Sequence, residues 1–414
     1  MTHVRTSLFA GAAGRTLLLL AGVNLLNYLD RFVVSALVES LRAAFSLSDL
    51  RLGVLMTSFM VVYTVASPVF GALGDRGRRP ALLAVGVGVW SFATVLSGAA
   101  TGFASLLFAR AAVGVGEAAY ATISPSLIAD HFERARRGRA FALFFAAIPV
   151  GSALGYVVGG LLDHAFGWRA AFLAAGLPGL VLALLVLRQP DPPRGQHDGA
   201  PAGGPRPLLQ SWRALAGIRP YVLAVLGYAA YSFATGALAF WMPAFLERTR
   251  GVPRAEATIQ FGAVVVLTGL AGTLLGGWIA DALRRRIANA DLWVSGLSAL
   301  AAAPLALVAL TAPSKATWLA ALVVGQLCLF ASTGPINDVI VAVVPPAERA
   351  TASAVSIFVL HALGDVPSPP LVGALSDRTS LANAILLVPA AILLSGFLWT
   401  WGAVQRHDPR AARG

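Results

Sequence analysis

The fold class predicted by the 414-residue sequence is all-α integral membrane, with twelve transmembrane helices in two pseudo-symmetric six-helix halves. Composition is the first ground for this. Hydrophobic residues make up 57% and charged residues 12%, and the mean hydropathy of +0.75 is far above that of soluble chains. The second ground is segmental: twelve runs stay apolar for ~18 or more residues, long enough to cross bilayer hydrocarbon. The third is that a basic loop after the second run is echoed after the eighth.

The runs fall at roughly 15–40, 50–73, 80–100, 103–129, 139–162, 168–188, 219–246, 258–282, 290–311, 316–343, 349–375 and 381–404. The first is longer than a signal-peptide core, carries charge and lacks a small-residue cleavage site, so it is expected to be retained. After the sixth comes Gln189–Pro207, QPDPPRGQHDGAPAGGPRP, rich in Pro and Gly, which reads as a flexible connection. Leu208–Ile218 then sets Leu208, Leu209, Trp212 and Leu215 on one side of a short interfacial helix, with a plain turn and cap as the alternative. The expected organisation is 1–188 as one half, 189–218 as linker and 219–414 as the other half.

A formal net charge of +12 invites a nucleic-acid reading, which the placement of the charges excludes. With both termini cytoplasmic, 21 of the 31 Lys and Arg lie in cytoplasmic segments and eight in the opposite loops, while Arg31 and Arg110 lie inside spans. That is the positive-inside bias. Cys328 is the only cysteine, which excludes a disulfide or a cysteine metal site within one chain; no metal or other cofactor is expected. Lys315 is the only lysine, which points to a GC-rich bacterial genome and so to a bacterial inner membrane.

Gly71, Asp75, Arg76, Arg78 and Arg79 (GALGDRGRRP) follow the second run, and Gly277, Asp281, Arg284, Arg285 and Arg286 (GWIADALRRR) follow the eighth, with equal Gly-to-Asp spacing. Such repeats mark transporters built from two related halves. The first loop resembles the GxLxDRxGRR motif of the major facilitator superfamily at Gly71, Leu73, Asp75, Arg76 and Arg79, with Arg78 in place of its second glycine. Arg110 and Gly114 match the superfamily's RxxxG. Gly151, Gly155, Gly159 and Gly160 resemble the glycine-rich fifth helix of exchangers, with Tyr156 where that motif has proline. More narrowly, HALGDVPSPPLVGALSD (His361–Asp377) resembles the spinster-type signature HxxGDxxSPxxxGxxSD, and GVGEAAYATISPSLIADHF (Gly114–Phe132) its fourth-helix counterpart. Asn27, Tyr28, Asp30 and Arg31 fit that family's first helix, and Trp241 with Pro243 its seventh. The resemblance implies the major facilitator fold and a proton-linked or facilitative carrier of lysophospholipids or sphingosine phosphate.

Asp30, Arg31, Arg110 and Glu117 are set inside apolar runs, where a midplane charge costs ~2.5–3.5 kcal/mol and normally sits with a partner in a bundle interior or wet cavity. Residues at i, i+3 and i+7 share a helix face, so Asn24, Asn27 and Arg31 form one polar stripe with Asp30 at its edge. Arg110, Gly114 and Glu117 form another. A shared watery crevice is expected between these helices; two static ion pairs that fix packing are the alternative. Desolvation favours a neutral acid and a nearby guanidinium favours its anion, so Glu117 and Asp30 are the expected proton acceptors, with changed pairing to Arg110 and Arg31 altering which way the cavity opens. The spinster resemblance points to the same positions. His361 and Asp365, four apart on the eleventh span, are a second coupling candidate, or a structural hydrogen bond where Gly364 and nearby prolines interrupt the helix.

Asn27, Tyr120 and Ser124 in the first half, and Tyr231, Gln326, Thr333, Asn337 and His361 in the second, are the expected substrate-binding residues, with Gln326, Phe330, Thr333 and Asn337 on one face of the tenth span. Each has helix tying as its bland alternative. By resemblance, Asp75, Arg76, Arg79, Arg139 and Asp281 are gating residues. Asp75 is expected to latch at the N-terminus of the eleventh span, PPAERATAS from Pro345 with Glu348, and Asp281 at the start of the fifth near Arg139. A membrane enzyme built on Asp130 and His131 is the rival, but no nucleophile elbow, P-loop or HExxH pattern accompanies that dipeptide. The expected function is therefore a monomeric secondary active transporter that moves an amphiphilic small molecule by alternating access, with the bilayer and protons as partners. A proton-coupled multidrug or organic-solute exporter is the alternative.

Overall fold

The computed structural model describes residues 11–195, 208–345 and 349–405, and every regular element among them is helical. In chain order these are α1 (Gly11–Ala36), α2 (Val38–Phe45), α3 (Asp49–Arg76), α4 (Arg79–Gly98), α5 (Phe103–His131), α6 (Arg134–Phe166), α7 (Trp168–Leu187) and α8 (Leu208–Ala216), then α9 (Arg219–Arg250), α10 (Arg254–Arg284), α11 (Ala290–Thr311), α12 (Lys315–Ala331), α13 (Thr333–Ala342), α14 (Arg349–Leu360), α15 (Ser368–Arg378), α16 (Leu381–Ala384) and α17 (Leu387–Val404). A π turn, His361–Asp365, joins α14 to α15. Among the described residues twelve stretches are long and apolar enough to cross a membrane, the last three being composite: α12 with α13, α14 with α15, and α16 with α17. The fold class expected from sequence is the one observed. In lipid every backbone polar group has to be satisfied within the protein, which is why the spanning elements are helices.

The chain divides into two compact units. The first gathers the described parts of Met1–Leu47, Val54–Gly203 and Val252–Gly262; the second those of Ser48–Gly53, Gly204–Gly251 and Ala263–Gly414. The division departs from chain order at two places: the first turn of α3 belongs to the second unit and the start of α10 to the first. In the first unit α6 lies along α1, and α4 lies between α5 and α7. The glycine-rich face of α6 makes its contact possible, Gly151 and Gly155 facing the Leu25 and Leu29 carbonyls. Arg254 there reaches Ser40 and, at 3.1 Å, Asp163. In the second unit α17 lies against α9 and α11, and the Trp399 indole donates to the Ala224 carbonyl at 3.0 Å.

The stretch read as a flexible connection is in part anchored. Asp191 accepts from the Arg79 side chain at 2.8 Å, and the Pro192 carbonyl from Arg79 at 2.6 Å. Arg194 donates to the carbonyls of Gly74 and Gly77, and the Gly195 N–H donates to Asp130. Composition gave no sign of this, because the partners lie on α3, α4 and α5; residues 196–207 lie outside the described residues. The short helix expected after the linker is α8. It buries Leu215 and sets Trp212 against Phe358, ring centroids 5.6 Å apart; the side chains of Leu208 and Leu209 lie outside the description.

The GxxSD end of the signature has a structural task in the second unit. Asp377 accepts the N–H groups of Asp49 and Leu50 at 2.8 and 2.9 Å, supplying acceptors that the first turn of α3 lacks. Ser376 donates to Asp49 at 2.5 Å, and Arg248 donates to the same carboxylate at 2.7 and 2.9 Å. A Cβ on Gly373 would lie 2.6 Å from the Asp49 carbonyl carbon, so only glycine admits this approach. Gly373→Val is expected to cost about 1–3 kcal/mol by overpacking, read as a melting temperature several degrees lower in detergent. Gly71→Ala, where an added Cβ meets nothing within 4 Å, is expected to melt no lower than the parent.

Candidate functional site

Neighbouring side chains on a helix point about 100° apart, so Asp30 and Arg31 on α1 take different partners, both on α5. Arg31 Nη2 donates to Glu117 Oε2 at 2.7 Å. Arg110 Nη1 donates to Asp30 Oδ1 at 3.0 Å, and the Thr94 hydroxyl of α4 donates to Asp30 Oδ2 at 2.7 Å. The four groups thus form two ion pairs strapped across one helix contact. Asp30 has a partner on each oxygen. Glu117 has one on a single oxygen: Oε1 is buried with no hydrogen-bond partner among the described residues, as is Arg31 Nε.

The watery crevice expected around all four charges is not what surrounds them. The side chains of Arg110, Asp30 and Glu117 are at most 2% exposed, and only Arg31, at 16%, reaches open space. The cause is packing on every side. Leu106, Val113 and Ile123 fill the neighbouring turns of α5, and the Phe172 ring lies 6.0 Å from the Arg110 guanidinium. The static-pair alternative therefore describes Asp30–Arg110, while Arg31–Glu117 sits at the edge of solvent. Arg31 is also ringed by Tyr28, Phe59 and Tyr63, contacts worth ~0.5–2 kcal/mol each depending on desolvation.

Of the expected first-half binding residues, Tyr120 is engaged elsewhere: its hydroxyl donates to the Leu20 carbonyl at 3.0 Å and ties α5 to α1. Ser124 is fully buried, and Asn27 is buried with its Nδ2 lacking a hydrogen-bond partner among the described residues. In the second unit Tyr231 and Thr333 share a hydrogen bond of 3.1 Å, and Asn337 Nδ2 donates to the Tyr228 hydroxyl at 3.3 Å. Of the residues expected on one face of the tenth span, Gln326, Thr333 and Asn337 all meet α9, and Phe330 turns to α10. Gln326 lines a cavity of about 20 Å³ with Leu238, Leu322 and Ile392, Phe330 lies against Gly269 and Gly272 of α10, and Thr333 meets α9. The span is broken between α12 and α13 at Ser332, whose hydroxyl donates back to the Leu329 carbonyl. His361 Nδ1 lies 2.9 Å from both Asp365 oxygens across the π turn, with both side chains about one-fifth exposed.

The gating candidates separate into exposed and buried groups. Asp75, Arg76 and Arg139 are exposed, and Glu348, the expected neighbour of Asp75, lies outside the described residues. Arg79 is buried, held by Asp130, Asp191 and the carbonyls of Ser126 and Pro192. That network also engages Asp130 of the Asp-His dipeptide. Asp281 accepts from Arg284 at 2.8 Å, and Arg284 in turn binds Asp291 and Asp338. Sequence reasoning missed Thr94, the three rings around Arg31 and the Asp49 and Arg284 clusters. Only the rings left a trace, in the i, i+4 spacing of Phe59 and Tyr63 and the i, i+3 spacing of Tyr28 and Arg31.

Twelve apolar spans with ion pairs buried among them define a class of transporter, and the Major Facilitator Superfamily profile matches residues 20–365. The chain is 37% identical over 373 residues to Protein spinster of Drosophila melanogaster, covering 87% of this chain and 62% of that one. It is 38% identical over 395 residues to Protein spinster homolog 1 of Homo sapiens (90% and 75% covered) and 34% identical over 434 residues to the Sphingosine-1-phosphate transporter SPNS2 of Danio rerio (96% and 86%). A crystal structure of a bacterial homologue of the human lysosomal transporter spinster superposes with a TM-score of 0.81 at 24% identity over 95% of both chains, a likeness of fold. The chain belongs to the spinster family of the major facilitator superfamily, and is a multi-pass membrane transporter rather than an enzyme.

Asp30→Asn leaves the Arg110 guanidinium buried without its anion and is expected to cost about 3–5 kcal/mol. Thr94→Val, which removes one charge-assisted hydrogen bond, is expected to cost about 1.5–3 kcal/mol. Glu117→Gln is expected to cost less than Asp30→Asn, because Arg31 keeps ring contacts and some solvent. Thermal unfolding in detergent ranks the three; Glu117→Gln as the most damaging would reverse the assignment of Asp30–Arg110 as the anchor.

Proposed function

We propose that the protein is a proton-coupled secondary transporter of an amphiphilic lipid, a lysophospholipid or sphingolipid-like molecule, in a bacterial inner membrane with both termini cytoplasmic. The observation that carries the coupling is the half-satisfied Glu117. Its Oε2 binds Arg31 and its buried Oε1 lacks a partner, so the anion is imperfectly accommodated and a proton on the free oxygen removes an uncompensated charge. Arg31, the one member of the four that meets open space, then changes partners. Asp30, with both oxygens engaged, keeps α1, α4 and α5 in register while this happens.

In this reading each unit has its own hydrogen-bonding groups suited to a polar headgroup, Asn27 and Ser124 in the first and Tyr231, Thr333 and Asn337 in the second; His361–Asp365 is a second titrating pair. Asp75, Arg76, Arg139 and Asp281, exposed at helix ends, act as gating charges in this reading. The lipid assignment is supported by likeness to a relative named for sphingosine-1-phosphate transport and by the charged pairs set among apolar spans. Protein reconstituted in liposomes is expected to accumulate labelled lysophosphatidylcholine uphill when a pH gradient is imposed. Glu117→Gln is expected to lose that accumulation and keep exchange of labelled for unlabelled lipid across the membrane. Gradient-driven accumulation that survives in Glu117→Gln would contradict the coupling role, and no uptake of any lysophospholipid would contradict the substrate class.

A further inference from the structure

A buried guanidinium whose carboxylate becomes neutral has to reach water or find another partner. For Arg31 the neighbouring carboxylate is not available: both oxygens of Asp30 are already bound, by Arg110 and Thr94. The nearest alternatives are rings. The Arg31 guanidinium carbon lies 4.9 Å from the ring centroids of Tyr28 and Phe59 and 5.6 Å from that of Tyr63. We propose that Tyr28, Phe59 and Tyr63 form an aromatic cage that retains the Arg31 cation when Glu117 takes up a proton, and so sets the pH at which that uptake occurs. This rests on the Glu117 reading above and adds to it three positioning residues.

The arrangement follows from the local sequence. Tyr28 is one turn before Arg31 on α1, and Phe59 and Tyr63 are one turn apart on α3, their ring centroids 6.1 Å from each other. Close approach of α3 to α5 brings both rings to the cation, and Gly114 permits it: a Cβ there would lie 2.9 Å from the Tyr63 backbone nitrogen and 3.2 Å from the Val62 Cβ. The glycine of the RxxxG pattern therefore builds the cage from the far side of the ion pair. Arg31 Nε makes no hydrogen bond among the described residues, which leaves that part of the guanidinium with rings as its company.

A ring face attracts a cation through its quadrupole, and the attraction is unaffected by protons in the range where a carboxylate titrates. While Glu117 is ionised, its hydrogen bond fixes where the guanidinium lies. Once Glu117 is neutral, the guanidinium is free to settle over the rings, so the cage favours the protonated state more than the ionised one. The charged and titratable groups that act on this pair are Arg31, Asp30 and Arg110 on Glu117, and Glu117, Tyr28 and Tyr63 on Arg31. Tyr120 of α5 has its hydroxyl engaged by Leu20, and α6 contributes Tyr156, whose ring is tilted against Phe32 with centroids 5.3 Å apart.

The test is an infrared titration of the full-length protein in liposomes, following the carboxylic-acid stretch and assigning the Glu117 band by its loss in Glu117→Gln. No substrate is needed. Tyr63→Leu is expected to move the midpoint of that band to lower pH by roughly half a unit to one unit, because the protonated state loses its compensation. Tyr63→Phe, which keeps the ring, is expected to titrate like the parent. Phe59→Leu, expected to move the midpoint in the same direction, serves if Tyr63→Leu does not fold. A midpoint unmoved by either leucine variant, moved to higher pH, or moved as far by Tyr63→Phe overturns the cage and leaves the Glu117 reading standing. A titrating band that is unchanged in Glu117→Gln overturns that reading and the cage with it.

Discussion

Charge buried in membrane-spanning helices is the constraint from which the rest of this structure follows. Every ionised group placed there needs a partner, and two charges adjacent in sequence cannot serve each other, because their side chains diverge around the axis. Asp30 and Arg31 therefore reach separately to Arg110 and Glu117 on α5. Each pair fixes the spacing and rotation of α1 against α5, and Thr94 adds α4 to the same cluster. What reads in sequence as two polar stripes facing one crevice is a pair of braces whose removal would leave an uncompensated charge in an apolar interior.

The two braces are not equivalent. Asp30 is saturated by Arg110 and Thr94 and sealed by packing, an arrangement that resists change. Glu117 is saturated on one oxygen only, and its partner Arg31 borders open space with aromatic rings beside it. Equal formal charges thus acquire different surroundings: one pair holds helices in place, and the other is the pair we propose to exchange a proton for a rearrangement. The same contrast recurs at the helix ends, where Arg79 is locked among carboxylates and carbonyls while Arg76, three residues earlier, is exposed.

Span number and placement were legible in the sequence because a length of apolar residues is a one-dimensional signal. The importance of Asp30, Arg31, Arg110 and Glu117 was legible because charge in such a run stands out. Their pairing was not, since it depends on helix rotation and on which neighbour lies across the contact. Thr94 is invisible in sequence for the same reason: one threonine on an apolar span looks like any other. The shared face of Gln326, Thr333 and Asn337 was legible from helical spacing, since all three meet α9, but the turn of Phe330 toward α10 was not. The docking of Asp191–Gly195 was hidden by Pro- and Gly-rich composition that is compatible with a strap as well as with a flexible linker.

If Glu117 is the group that couples substrate to protons, binding of a lysophospholipid has to change its proton occupancy. The direct measurement is calorimetry of a short-chain lysophosphatidylcholine, below its micelle concentration, in buffers of different ionisation enthalpy. The binding enthalpy is expected to depend on the buffer for the parent protein and not for Glu117→Gln. A buffer dependence that persists undiminished in Glu117→Gln would contradict coupling through Glu117.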